Sequence, residues 1–278
     1  MSTFTIPDRV RRAINPALRG VFGLQARVLG SRVALDPTSA PLPDGPVLFA
    51  ANHTNSEDIP RLAMALRRPF YVVAATDGMF GAVNKTVCNL LGTVWLERTD
   101  TPQARASRRA AHAKAVATLR RGYDVLIFPE AVWMPRLYWA DGRPMLPFFR
   151  GAVTIAREAG APLVPIVTEF TPDRVCHVHI GEPFEYGPYA DDTLATHALR
   201  CQMAATKQAL RNGCGGMTEE TYLAMRARWR KAYPQWDPDR EMTFVRGYRA
   251  DPAGVSAWFQ GADPQPAHPA RAAHAVLA

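Results

Sequence analysis

A histidine and an aspartate five positions apart, His53 and Asp58, follow directly on an apolar run at 47–51. Histidine is the side chain best suited to take a proton near neutral pH. A nearby carboxylate fixes its tautomer and stabilises the imidazolium that forms. Five residues is too wide a spacing for one helix face, so the pair meets only if the chain folds back across a strand-to-helix turn. A plainer reading stands beside this one: Asp58 caps the helix that follows, and His53 is an ordinary turn residue. Three further segments carry groups that could join such a site. The run 92–98 starts at Gly92 and delivers Arg98 to a strand's carboxyl end, where a planar guanidinium can hold two phosphate oxygens. Phe128-Pro129-Glu130 ends an apolar run in a carboxylate. The run 163–167 holds Pro165, which marks a sheet edge, a bulge or a strand start because proline cannot donate to the ladder. Taken singly, these are also a surface arginine, a loop glutamate and a structural strand.

The elements that must position these groups alternate. Apolar runs at 47–51, 70–75, 92–96, 124–128, 163–167 and 175–180 read as strands. Helical patterns at 59–66, 79–91, 102–121, 148–159 and 191–211 lie between or after them. Pro60 falls in a first helical turn, where it is tolerated, and Gly122 and Gly160 stand at helix ends. Strands alternating with helices predict an α/β fold with a mostly parallel central sheet flanked by helices. In such sheets ligands bind beyond the carboxyl ends of the strands, which is where His53, Arg98 and Glu130 fall.

Three parts are expected along the chain. Residues 1–35 form a basic segment with apolar residues at helical spacing, a pattern that suits either a membrane interface or packing on the domain. Residues 36–213 form the catalytic-type α/β domain. Residues 214–278 hold one more helix, near 218–233, and a tail rich in Pro and Ala. The chain has 278 residues, 33 basic and 25 acidic, for a net charge of +8. That balance favours acidic partners such as an anionic membrane or an acidic carrier protein. The basic residues are dispersed and no nucleic-acid-reading motif is present, so a nucleic-acid partner is not expected. No run is long and apolar enough for a membrane span. Cys88, Cys176, Cys201 and Cys214 have no paired short spacing and read as free thiols. His177 and His179 share one strand face without a third ligand nearby in sequence, which reads as a solvated face and not a metal site.

In this order and at these spacings the four segments resemble the glycerolipid acyltransferases, the superfamily that includes the lysophosphatidic acid acyltransferases. The first block of that family, Asn-His, four residues, Asp, is matched by Asn52, His53 and Asp58. The second, a strand from Gly to Arg, is matched by Gly92 and Arg98. Phe128, Pro129 and Glu130 match the third, and the strand around Pro165 the fourth. The resemblance implies transfer of a fatty acyl group to a hydroxyl of a lysolipid or related acceptor, in phospholipid or glycerolipid biosynthesis or remodelling. The donor would be acyl-CoA or acyl carrier protein as co-substrate, with no metal or other cofactor. An alcohol is a poor nucleophile until a base takes its proton. His53 is the implied base and Asp58 its orienting partner. Arg98 would bind an anionic part of acceptor or donor. Glu130 would hold acceptor hydroxyls or shape the site, and Asn52 and Gly92 complete the implied substrate-binding set. No Gly-x-Ser-x-Gly elbow is present, so no covalent acyl-enzyme is expected.

The chain departs from the family after Glu130. The third block usually continues Glu-Gly-Thr, and here it reads Glu130-Ala131-Val132. Alanine replaces a glycine whose bare backbone permits close approach, and valine replaces a hydroxyl that could bond phosphate. Arg136 is a candidate to supply the missing phosphate contact, or else a solvated arginine. The departure leaves the acceptor head group open. It also motivates the alternative of a catalytically silent homologue that binds lipid or a partner. The run 133–147, rich in Trp, Tyr and Pro, reads as an interfacial lid or as a loop packed on the domain. The expected location is the cytoplasm, peripheral on the inner face of the cell membrane, with the N-terminal segment as anchor.

Overall fold

The computed structural model describes residues 32–54, 57–76, 88–89, 92–98, 101–131 and 142–232, together with isolated positions between 7 and 24. Arg136 and most of the predicted helix at 79–91 and of the aromatic run 133–147 lie outside them, as do most of the N-terminal segment and the tail from 233.

Seven strands form one sheet: β1 (Arg32–Leu35), β2 (Leu48–Ala51), β3 (Phe70–Ala75), β4 (Thr93–Leu96), β5 (Asp124–Ile127), β6 (Leu163–Phe170) and β7 (Val175–Ile180). Their spatial order is β1-β7-β6-β2-β5-β3-β4. The five strands from β6 to β4 are mutually parallel. The β6–β7 pair is antiparallel and β1 runs parallel to β7. This is the mostly parallel α/β sheet that the alternation predicts. The helices are α1 (Asp58–Leu66), α2 (Pro102–Arg120), α3 (Gly151–Ala159), α4 (Asp192–Cys214) and α5 (Glu219–Ala232).

Side chains of successive strand residues point to opposite faces of a sheet, and the core divides accordingly. Leu48 and Ala50 of β2 pack with α2, α3 and α4. Phe49 and Ala51 pack on the other face with Leu62 and Leu66 of α1. Both faces of β2 and β6 are fully buried, as expected of parallel strands covered by helices on each side. The parity matters for the site. Asn52 continues the α4 side of β2, and His53 the α1 side.

Several expectations are revised. The sheet gains a strand, Arg32–Leu35, too short and too exposed to show as an apolar run. β6 extends three residues past the predicted run, to Phe170, and α4 ends at Cys214 rather than at 211. Pro165 lies neither at an edge nor in a bulge: β6 is flanked by β2 and β7. The N–H and C=O of one strand residue face the same neighbour, and the Pro165 carbonyl accepts from Gly181, just past β7. The missing N–H therefore faces the end of the β7 ladder, and the β2–β6 pairing is not interrupted. The described cysteines are free thiols.

Candidate active site

The chain leaves β2 at Ala51, turns through Asn52, His53 and Thr54, and enters α1 at Asp58. The Asp58 carboxylate, wholly buried, organises this turn. One oxygen lies 2.8 Å from His53 Nδ1 and accepts the Thr54 backbone N–H at 2.6 Å. The other accepts the Thr54 hydroxyl at 2.6 Å. An ionised carboxylate only accepts hydrogen bonds, so the contact selects the imidazole tautomer with its proton on Nδ1. Asp58 does not cap α1. It is the first residue of the helix, and the N-cap position is Glu57, whose side chain makes no capping hydrogen bond. A carboxylate at a helix N-terminus is favoured by the helix dipole, which helps to hold the charge beneath the histidine.

The His53 ring is stacked on Phe128, with centroids 4.2 Å apart and an interplanar angle of 19°. Its side chain is 16% exposed while that of Asp58 is fully covered. The imidazole is therefore held in its plane by a ring, held about its axis by a carboxylate, and partly open to solvent. Chemically, such an arrangement could serve as a general base with its orienting acid.

Glu130, on the turn after β5, sits under the histidine. One carboxylate oxygen accepts the His53 backbone N–H at 2.8 Å and the other accepts the Leu146 backbone N–H at 2.8 Å. The residue is 1% exposed. Burial pushes its carboxyl above the ordinary glutamate range, although the two backbone donors and the positive charge of Lys207 oppose this. Both oxygens are turned to backbone N–H groups, which fits shaping the site, one of the two roles that the resemblance implies for Glu130.

Asn52 is likewise turned inward, not toward a substrate. Its side-chain amide donates to the Thr168 carbonyl at 3.1 Å and its oxygen accepts the Thr168 N–H at 2.7 Å. The side chain thus mimics one more rung of the β2–β6 ladder where the main chains part. Gly92 is removed from the site altogether. It stands at the amino end of β4, opposite the edge that bears His53, with φ at +89°. Its N–H donates to Asn89 and its carbonyl accepts from Val72. Its role is to permit a tight left-handed turn into β4. Arg98, two residues past β4, is 8% exposed and donates to the Ala131 carbonyl at 3.1 Å. It therefore borders the turn that carries Glu130. Ala131 itself has φ at +61°, the backbone region that a glycine would enter without strain.

Three residues that local sequence reading passes over complete the support. Thr54 gives Asp58 two hydrogen bonds. Lys207 on α4 donates to the Thr168 carbonyl at 2.8 Å and lies 3.2 Å from Glu169. Arg200, also on α4, donates to the carbonyls of Leu146 and Met145 at 2.9 and 2.7 Å. Thr54 was legible from its place inside the turn. The two cations were not, because nothing local marks which basic residues of a helix face a sheet's edge. Among the described residues no group of three or more His, Cys, Asp or Glu side chains is arranged to hold a metal.

Comparison with known proteins agrees with this fold. Residues 35–169 match the family model described as Acyltransferase. The 1-acyl-sn-glycerol-3-phosphate acyltransferase of Chlamydomonas reinhardtii is 32% identical over 126 residues, which are 45% of this chain and 35% of that protein. The enzyme of the same name from Salmonella typhimurium is 23% identical over 193 residues, 66% of this chain and 74% of that one. The match thus spans about a third of the algal relative and about three quarters of the bacterial one. The crystal structure of the 1-acyl-sn-glycerophosphate acyltransferase of Thermotoga maritima superposes with a TM-score of 0.59 at 18% identity, over 75% of this chain and 85% of that one. At that identity the likeness speaks for the fold. Through residues 35–169, with the His53–Asp58 block and the sheet that presents it, the chain belongs to the glycerolipid acyltransferase superfamily.

Proposed function

We propose that this protein transfers a fatty acyl group from a thioester to a hydroxyl of a lysolipid of the 1-acylglycerol-3-phosphate type. The observation that carries the reading is the contact of His53 Nδ1 with the buried Asp58 carboxylate at 2.8 Å, on a ring clamped by Phe128. With Nδ1 committed to Asp58, Nε2 takes the proton of the acceptor hydroxyl as its oxygen attacks the thioester carbonyl. The tetrahedral intermediate then collapses, the carbon–sulfur bond breaks, and the imidazolium returns the proton to the leaving thiolate. Asp58 stabilises the imidazolium throughout. Arg98 is the proposed cationic partner of the acceptor phosphate, a role suited to its planar fork. The names of the relatives support this acceptor class, even though Ala131 and Val132 replace the usual Gly-Thr. The donor is acyl-CoA or an acyl carrier protein, both anionic and so both suited to a net charge of +8.

The proposed site of action is the cytoplasmic membrane surface, approached as a peripheral protein. Among the described residues no helix is long and apolar enough to cross a membrane. Val10, Val21 and Leu24 are helical and 40%, 60% and 63% exposed, apolar side chains available to a lipid interface.

The test is acyl transfer by the purified protein from labelled acyl-CoA and acyl carrier protein to a panel of lysolipids with and without phosphate head groups. Turnover of a lysophosphatidic acid supports the reading. Binding of lipid without turnover of any acceptor favours a silent homologue instead. A chain beginning at Arg32 that still floats with anionic vesicles would contradict the N-terminal anchor.

A further inference from the structure

The geometry points to Arg200 of α4 as a positioning residue for the reaction, acting on His53 through Leu146 and Glu130. The inference rests on the acyl-transfer reading of the His53 site. Arg200 is the largest fully buried side chain among the described residues, 1% exposed. A guanidinium out of water is costly unless its donors are met. Here Nε donates to the Leu146 carbonyl at 2.9 Å and Nη2 to the Met145 carbonyl at 2.7 Å. These two bonds fix the peptide planes on either side of the Leu146 α-carbon, and the first of those planes holds the Leu146 N–H. That N–H is the group on which one Glu130 oxygen rests, at 2.8 Å. The other Glu130 oxygen holds the His53 backbone N–H at the same distance.

The relay is short, and every link is a hydrogen bond to a buried group. It spans 54 residues from Arg200 to Leu146 and 77 from Glu130 to His53. A side chain can shift at little cost, but a peptide plane gripped from both sides cannot. The loop 145–149 is further tied to the Glu130 turn by the Phe149 N–H bond to the Pro129 carbonyl. The helix thus sets where Glu130 stands, Glu130 sets the backbone of His53, and the backbone sets how the imidazole edge meets the acceptor. Loss of the guanidinium releases the Met145–Leu146 carbonyls and misplaces the base without removing it. A misplacement of the order of 1 Å costs about 100-fold in rate.

The experiment compares R200M, R200K and R200A with wild type and with L119A, a core variant on α2 that removes none of the relay's hydrogen bonds. R200M is expected to lower kcat about 10- to 100-fold with KM within about twofold, to move the ¹⁵N signals of the His53 ring, and to lose more rate than L119A does at a matched loss of thermal midpoint. Millimolar guanidinium is expected to restore part of the rate to R200A. If R200M does not fold, R200K decides the same comparison. The inference is overturned if kcat stays within about twofold of wild type and the His53 signals do not move, or if the loss equals that of L119A at matched stability. Should wild type turn over no acceptor at all, the functional reading fails, and the His53 ring signals alone still decide the positioning role.

Discussion

The backbone N–H of His53 meets the carboxylate of Glu130 at 2.8 Å across 77 residues of chain. The glutamate that follows Phe128 and Pro129 thereby has both oxygens on backbone N–H groups, one of them that of the proposed base. Replacing it by glutamine keeps the shape but leaves one acceptor for two N–H donors. E130Q should lose about 1–3 kcal/mol of stability, the cost of a buried unsatisfied donor, together with a drop in kcat. Because burial raises the folded pKa of Glu130 above the ordinary 4.5, the folded state holds more protons just above that value. The wild-type contribution to stability therefore falls as pH rises from 4.5 to the raised pKa, then levels off. Thermal midpoints measured across acidic pH should show that decline weakened in E130Q.

Asp58 is predicted to matter through the tautomer it selects. D58N retains the volume and offers an amide where the carboxylate met Nδ1 and Thr54. The imidazole is then free to adopt the wrong tautomer, which in a comparable triad costs about 10⁴ in kcat. A loss of 10²-fold or more, with far-UV circular dichroism unchanged, is the expected result. Full activity in D58N would show that the carboxylate serves the turn alone.

Glu169 should anchor the acid limb of stability. Burial alone would raise its carboxyl, but the Lys207 ammonium and the Arg211 guanidinium bring it below the ordinary 4.5. A depressed carboxylate stabilises the fold above the unfolded value, and that contribution is lost as pH falls through the folded pKa. Wild type should thus lose thermal midpoint below about pH 4.5. E169Q, which strands two buried cations, should start about 3–5 kcal/mol lower at neutral pH and show a shallower acid decline.

Ala131 offers the opposite kind of test. Its φ of +61° costs an L-residue about 1–2 kcal/mol, so A131G should raise stability by about 1 kcal/mol, seen as a higher denaturation midpoint. A lower midpoint would mean that the alanine methyl makes contacts worth more than the strain.

Much of this architecture was legible in the sequence because it is local. The apolar runs of β3 and β7 and the start of α2 appear where periodicity places them, while the spacing of His53 and Asp58 fitted both a folded-back pair and a plain helix cap. β1 escaped because four residues with two exposed leave no pattern. The roles of individual site residues were less legible. Spacing places Asn52, Gly92 and Glu130 in the right blocks but does not say which way a side chain turns. Asn52 and Glu130 turn inward because parting strands leave backbone donors and acceptors that must be met. Gly92 belongs to its block through the strand it starts, and parallel strands put that start at the far edge from the chemistry. Arg200 and Lys207 could not be found from sequence because their meaning lies in carbonyls some 40 to 55 residues away.

The central claim is that His53 removes the acceptor proton. It is tested most directly by the kcat of H53A against wild type, with labelled acyl thioester and lysophosphatidic acid, on protein shown by its thermal midpoint to be folded. Loss of general-base assistance predicts a fall of at least about 10²-fold, with lipid binding retained. Acyl transfer by H53A at the wild-type rate would contradict the account.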